Sequence, residues 1–310
     1  SAWLEATWLP DAMQVAGKAD ILLSVGRPDR SVLAAMKEGA VLIGLLNPYH
    51  DLPSLVKAPT QPISMISMEL VPRITRAQAM DVLSSQATVA GYKAVILAAQ
   101  VAPRLFPMLT TAAGTLRPAK AVVIGAGVAG LQAIATCRRL GAQVEAYDIR
   151  AAAREQVESL GAKMIDTGVD AESEGGYARE LTDAEKDQQA QVLAEHLSKA
   201  DVVISTAAIP GRPAPTIITK DMVAGMNSGA VIVDMAAESG GNCELTKAGE
   251  SVEHQGVWIH GPTNLPSMAP LHASEMYAKN ITNLMALVID ENAVAIDRDD
   301  EIIHGCLIVH

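Results

Sequence analysis

Aromatic residues are nearly missing from this chain: one phenylalanine, three tryptophans and five tyrosines among 310 residues, 3% of the whole. Any core must therefore be aliphatic and rich in alanine. Cysteine is as scarce. Cys137, Cys243 and Cys306 stand far apart, with no C-x-x-C pair and no histidine companions. That pattern excludes a disulfide framework and a zinc site and reads as a reducing compartment; no metal is expected. Positive charge is in deficit: 24 Lys and Arg against 35 Asp and Glu leave a net charge of -11. Such a balance argues against nucleic acid and against a polybasic membrane anchor. The opening stretch SAWLEATWLPDAM lacks the basic start and unbroken apolar run of a secretion signal. What is left is a globular protein long enough for two cored domains.

One apolar run needs separate treatment. AVVIGAGVAGLQAIATC at 121–137 falls at the lower edge of the ~17 to 25 residues that span a bilayer. Three glycines weaken it as a helix, and Lys120, Arg138 and Arg139 bracket it closely. It parses better as strand, turn and helix. Residues 121–124 read as a parallel strand buried on both faces, after which Leu131, Ile134 and Leu140 recur at helical spacing. Gly125, Gly127 and Gly130 then fit G-x-G-x-x-G. The first glycine permits the tight turn, the second admits a pyrophosphate to the backbone, and the third lets helix pack on strand, with phosphate at the helix N-terminus. On these residues alone a tight turn without a ligand stays open. The next strand, Gln143 to Tyr147, ends in Asp148, at about the ~20-residue distance where an acid accepts hydrogen bonds from an adenosine ribose. That carboxylate repels a 2′-phosphate and points to NAD(H). Arg150 pulls toward NADP(H) but lies farther from the strand end.

Strand signals at 19–28 and 40–48, each an apolar run closed by Gly or Pro, suggest a separate parallel sheet. Residues 77–106 read as a linking helix. Strand-then-loop segments recur at 201–211, 230–241 and 257–266, and a helix follows over about 270–289. The expected fold class is α/β: two Rossmann-like, doubly wound parallel-sheet domains joined by long helices. The first covers 1–76 plus 270–310, and the second, NAD(H)-binding, covers 107–269. Segment 168–189 is acidic and longer than the ~2 to 6 residues usual for a βα loop. Tyr177 after Gly175 and Gly176 reads as the tip of a mobile loop, 168–180, that closes on a ligand. A solvated surface loop is the other reading.

The stretch VPRITRAQAMDVLSSQATVAGYKA at 71–94 separates function classes. It puts Arg73, Gln78, Asp81 and Ser84 near the start of a helix, the last three at three-residue steps on roughly one face. Together with TAAG, GAGVAGLQAIAT, EQVESLGA, GGYA, STAAIPGRPAP, AAESGGNCE and TNLPS, it resembles the NAD(H)-binding component of proton-translocating nicotinamide nucleotide transhydrogenase. That component belongs to the alanine dehydrogenase/transhydrogenase family, and the resemblance covers most of the chain.

The resemblance implies that Arg73, Gln78, Asp81 and Ser84 surround and position the nicotinamide ring, with Ile74, Thr75, Ala79 and Met80 of the same loop also at the cofactor. It implies that Gly125, Gly127, Val128, Ala129 and Gly130 hold the pyrophosphate, and that Asp148, Ile149 and Arg150 meet the adenosine end. Gly176 and Tyr177 would close over the nucleotide. Gln189 and Ala208 would touch it, Ala208 standing where bulkier aliphatics are usual. NADP(H) would sit on a partner component, next to a membrane-spanning component. The chain would be a homodimer, cytoplasmic and held peripherally at the inner membrane by those partners.

Direct hydride transfer from NADH to NADP+ needs proximity and exclusion of water rather than a general acid or base. That fits a sequence with no clear catalytic His-Asp pair. Read without the family, Arg73 and Asp81 are a surface ion pair, and Ser84 and Ser85 are helix hydroxyls bonding back to the preceding turn. Two other functions stay open: an alanine dehydrogenase, sharing the TN-x-P loop at Thr263 to Pro266 and using His50 as proton donor, and an NAD-sensing module without catalysis. Family members begin upstream of Ser1 with a strand and an Ile-Pro-Lys-Glu-like turn and run past GCLIVH, so the chain is expected to be a fragment.

Overall fold

Short apolar runs buried at every position form the inner strands: Val41–Gly44, Ser64–Ser67, Val202–Ser205 and Val231–Asp234. Strands covered on both faces take this form. The computed structural model describes residues 6–169, 182–208, 211–291 and 293–309. The chain divides into two compact units, Ser1–Ser85 with Ser274–His310, and Gln86–Ala273.

The first unit holds a four-stranded sheet in the order Ile21–Leu23, Val41–Gly44, Ser64–Ser67, Leu307–Val309. The first three strands are parallel. The fourth is antiparallel, a departure from the all-parallel sheet expected. Parallel neighbours need a crossover, whereas the helix Glu301–Cys306 runs straight into this edge strand.

The second unit holds seven strands in the order Ser251–His254, Val257–His260, Val231–Asp234, Val202–Ser205, Lys120–Ile124, Gln143–Tyr147, Lys163–Met164. All neighbours are parallel except the first pair. Gln255 and Gly256, both at positive φ (51° and 82°), form the two-residue turn that reverses the chain there. From Lys120–Ile124 the chain builds outward first on one side and then on the other. The carboxyl ends of Lys120–Ile124 and Val202–Ser205 therefore flank a topological switch point, where open α/β sheets bind ligands.

The core is aliphatic and rich in alanine: Ala90, Ala94, Ala98, Ala121, Ala133 and Ala146 are buried, with Phe106, the single phenylalanine, among them. All three cysteines are buried and unpaired.

Two stretches differ from the sequence reading. Residues 77–106 are not one helix. A 3-10 turn, Thr75–Met80, precedes Asp81, whose ψ of 89° is not helical, and the α-helix runs Val82–Val101. It ends where Ala102 precedes Pro103, a position biased away from helix. In segment 168–189 the helix Asp183–Leu197 already occupies the last residues, because Thr182 and Glu185 close a capping box. The mobile loop proposed around Gly176 and Tyr177 lies outside the described residues.

The helix Val82–Val101 is long and apolar enough to cross a membrane, with a mean hydropathy of 1.2. Its Val82, Val89, Ala90, Ala94, Val95 and Ala98 are all buried in the fold, which accounts for that apolarity.

Asp201 anchors the segment that leads into the central strand. It receives Arg117 at 2.9 and 3.1 Å, Arg104 at 2.9 Å and the Lys120 N–H at 2.9 Å. Burial raises its pKa, but the Arg117 guanidinium and the Lys120 N–H together outweigh burial and hold it below 3.8. A carboxyl depressed in the folded state stabilises above its unfolded pKa, and that stability is lost as pH falls through the folded value. Melting temperatures recorded over about pH 2 to 5 should fall less steeply for Asp201→Asn than for the parent chain. Parallel curves would remove Asp201 from the acid-sensitive contacts.

Candidate nucleotide site

The three glycines after Lys120–Ile124 each meet a different constraint. Gly125 has φ +90°, and a Cβ there would stand 2.7 Å from Thr206 Oγ1. Gly127 is extended, with φ -77° and ψ -169°, and a Cβ there would meet nothing within 4 Å. Its open side faces the space a bound group would fill. Gly130 is the tightest: its Cβ would lie 1.7 Å from Gly125 O. Thr206 Oγ1 donates to Ile124 O and Gly125 O at 3.1 and 3.0 Å and ties the next strand end to the turn. The helix Val128–Arg139 starts at Gly127 with no side-chain cap, so its first N–H groups are free to meet an anion. This geometry fits a dinucleotide pyrophosphate.

Asp148 closes the neighbouring strand. Its Oδ2 accepts the Ala126 N–H at 2.7 Å and Arg150 Nη2 at 3.0 Å, and its Oδ1 accepts the Arg150 N–H at 2.9 Å and Arg150 Nε at 3.0 Å. Burial raises its pKa, yet the Arg150 side chain and the two N–H groups hold it below 3.8. All four lone-pair positions of the carboxylate are therefore in use. Arg150 is spent on Asp148, with its side chain still 49% exposed. Val128 and Ile149 are exposed beside these groups, Ala129 is half-buried, Gln189 is half-buried on Asp183–Leu197, and Ala208 is exposed.

A group of buried polar residues shapes the strand-end loops here, and sequence reasoning missed it. Asp234, fully buried, accepts the N–H groups of Ala236, Asn242 and Cys243 at 3.0, 2.7 and 3.0 Å and the Thr246 hydroxyl at 2.7 Å. Asn242, also fully buried, donates to Ala207 O and Pro215 O at 2.7 and 2.9 Å and accepts Ser205 Oγ at 2.7 Å. The available signal was an acid ending the apolar strand VIV, followed by Gly-Gly-Asn. Buried polar groups need partners, and these two organise the loops by finding them.

The remaining proposed residues lie in the first unit. Arg73, Thr75, Gln78 and Ala79 are exposed around the 3-10 turn, Ile74 is half-buried, and Met80 belongs to the core. Asp81 caps the helix Val82–Val101: Oδ1 accepts the Ser84 N–H at 2.9 Å and Oδ2 the Ser84 hydroxyl at 2.6 Å. Among the described residues Arg73 forms no ion pair with Asp81; the ion pair in this stretch joins Arg76 to Asp300 at 2.7 Å. Ser85 Oγ bonds the Val82 carbonyl and Asn280 Oδ1. His50 is exposed on the helix Pro48–Lys57.

A doubly wound sheet with an open glycine turn and a strand-end acid at its switch point defines the second unit as a dinucleotide-binding fold of Rossmann type. Residues 4–90 match the family model described as alanine dehydrogenase/PNT, N-terminal domain, and residues 94–310 that described as alanine dehydrogenase/PNT, C-terminal domain. The chain belongs to this family, the one its motifs resemble.

An NAD(P) transhydrogenase alpha subunit of Rhodospirillum rubrum is 45% identical over 311 residues, spanning 97% of this chain and 81% of that protein. The crystal structure of transhydrogenase from Sinorhizobium meliloti superposes with TM-score 0.86 at 45% identity, over 96% of this chain and 82% of the other. An L-alanine dehydrogenase shares the fold at TM-score 0.73 and 22% identity, over 97% and 80%.

Because Asp81 is a helix cap, Asp81→Ala should lower the unfolding free energy by about 1 kcal/mol, while Asp81→Asn, an equally good cap, should cost only a few tenths. Urea denaturation reads both. Equal losses would mean that the cap contributes little.

Proposed function

We propose that this chain is the NAD(H)-binding component of a transhydrogenase and passes hydride from NADH to NADP+ held by a partner component. The observation that carries the reading is the turn at Gly127, open to the switch point and next to the acid Asp148, in a chain 45% identical to a transhydrogenase alpha subunit.

In this reading the N–H groups of Val128, Ala129 and Gly130 receive the pyrophosphate, aided by the positive end of the helix Val128–Arg139. Asp148 accepts the adenosine ribose hydroxyls once the Arg150 guanidinium releases it, with Ile149 alongside. The Asp148–Arg150 pairing also bears on cofactor choice. An arginine already neutralised by a carboxylate is a poor receptor for a 2′-phosphate, which favours NAD(H). Gln189 and Ala208 complete the nucleotide contacts, and the loop carrying Gly176 and Tyr177 closes over them.

The reduced nicotinamide supplies the hydride, and its passage to a second nicotinamide makes no alkoxide and moves no substrate proton. The task left to Arg73, Gln78, Asp81 and Ser84 is to hold the ring in place and keep water out. The NADP(H)-binding and membrane-spanning components are separate partners, proton translocation belongs to the latter, and the chain works as a homodimer on the cytoplasmic side of the inner membrane.

Single-turnover mixing of NADH, this chain, an NADP(H)-binding component and thio-NADP+ tests the reading. Rapid reduction that depends on both proteins is expected. Its absence despite NADH binding and complex formation would sink the transhydrogenase role and make pyruvate with ammonium the next oxidant to try. Asp148→Ala should weaken NADH more than NADPH; equal losses would take Asp148 out of the specificity argument. Arg73→Ala and Gln78→Asn should slow transfer more than they weaken NADH binding, and a binding defect with normal transfer would overturn the ring-positioning role.

A further inference from the structure

A glycine in the middle of a long helix is unfavourable unless something requires it, because glycine is a poor helix former beside alanine. The helix Val82–Val101 is otherwise built of residues such as Ala, Val, Leu and Gln, yet has Gly91 at its midpoint. The requirement is visible. A Cβ at Gly91 would stand 2.2 Å from the Ala129 carbonyl oxygen, 3.0 Å from its carbon and 3.1 Å from its Cα. All three are backbone atoms, which cannot rotate away as a side chain could. Ala129 is the second residue of the helix Val128–Arg139, inside the turn whose N–H groups were assigned to the pyrophosphate.

We propose that Gly91 is a positioning residue for the cofactor turn: its missing side chain lets the helix Val82–Val101 rest directly on the Ala129 backbone and sets the direction of the phosphate-binding N–H groups. The turn is held on two sides. Gly130 brings it against Gly125 O, where a Cβ would fall at 1.7 Å, and Gly91 brings a separate element against Ala129. Neighbours Ala90 and Ala94 are buried in the same core and keep the helix close. Gly91 thus acts as a fourth glycine of the phosphate site, supplied from outside the G-x-G-x-x-G motif. The inference rests on the reading that NADH lays its pyrophosphate on this turn.

A methyl group at Gly91 must displace the first turn of Val128–Arg139, the helix that carries Gly91, or both. Ligands that use the turn should suffer and a ligand that does not should be spared. The test compares dissociation constants of NADH, ADP-ribose and adenosine for the full chain, for Gly91→Ala and for Val95→Ala. Val95 is a fully buried residue of the same helix whose truncation leaves a cavity without touching Ala129's backbone space. Gly91→Ala should weaken NADH and ADP-ribose about tenfold or more, since small misplacements of binding groups are costly, and should leave adenosine within about twofold. Val95→Ala, melting at a comparably lowered temperature, should leave the ratio of ADP-ribose to adenosine affinity unchanged.

Gly91→Ala binding NADH as the parent does would overturn the inference, as would equal losses for all three ligands. A Gly91→Ala chain that does not fold, beside a folded Val95→Ala, would also overturn it, because the contact would then serve the fold as a whole. Failure of the parent chain to bind NADH is a different outcome, one that removes the cofactor reading itself.

Discussion

Backbone meeting backbone, with no side chain between, is the contact on which this architecture turns. Gly130 lies so close to Gly125 O that any other residue would collide with it, and this closeness lets a helix begin immediately behind a strand. The helix then presents its unsatisfied N–H groups at the end of the sheet, where a negatively charged group can reach them. Interior packing is near crystal density, so one added carbon at such a point has no free volume to enter. The glycines here are costly for the unfolded chain, which gains freedom from each. They persist because the approach they permit cannot be made otherwise.

Around this contact the aliphatic core supplies little directional information. Alanine and valine surfaces fit together in many ways, and the loops at the strand ends are set by a few buried polar groups instead. Asp234 gathers four donors, Asn242 links three loop segments, and Asp201 draws two arginines and a strand N–H together. Each group would be a liability unpartnered, and each is fully engaged. Specific geometry at the nucleotide end thus depends on polar anchors set into a plain hydrophobic sheet.

How legible this was in the sequence varies with the range of the interaction. The strand Gln143–Tyr147 and the helix start at Gly127 were readable because their causes are local: a β-branched apolar run, a glycine spacing, an acid at the strand end. The antiparallel edge at Ser251–His254 escaped because its cause is a Gln-Gly pair with left-handed backbone, a weaker hairpin signal than Asn-Gly. The break at Asp81 escaped because helical periodicity continues through it, and only the carboxylate's bond to Ser84 shows that a new helix starts there. The Ala129 contact of Gly91 and the loops tied by Asn242 join residues far apart in the chain, and no spacing rule announces them. The reading of Arg150 as a rival to Asp148 changed most. The two are partners, and the arginine's charge is already spoken for.

The cysteines, finally, make the chain chemically quiet. Burial pushes the Cys137 and Cys306 thiols up to about 12 and raises Cys243 as well, and thiolate is the form that reacts. At neutral pH the folded protein therefore offers electrophilic reagents no ready target of its own. A cysteine placed at an exposed position such as Trp258, which is 45% exposed, becomes a unique handle for a dye or spin label without any native thiol being removed. A second handle in the other unit turns the pair into a ruler, and the quiet background lets motion between the units be followed in solution.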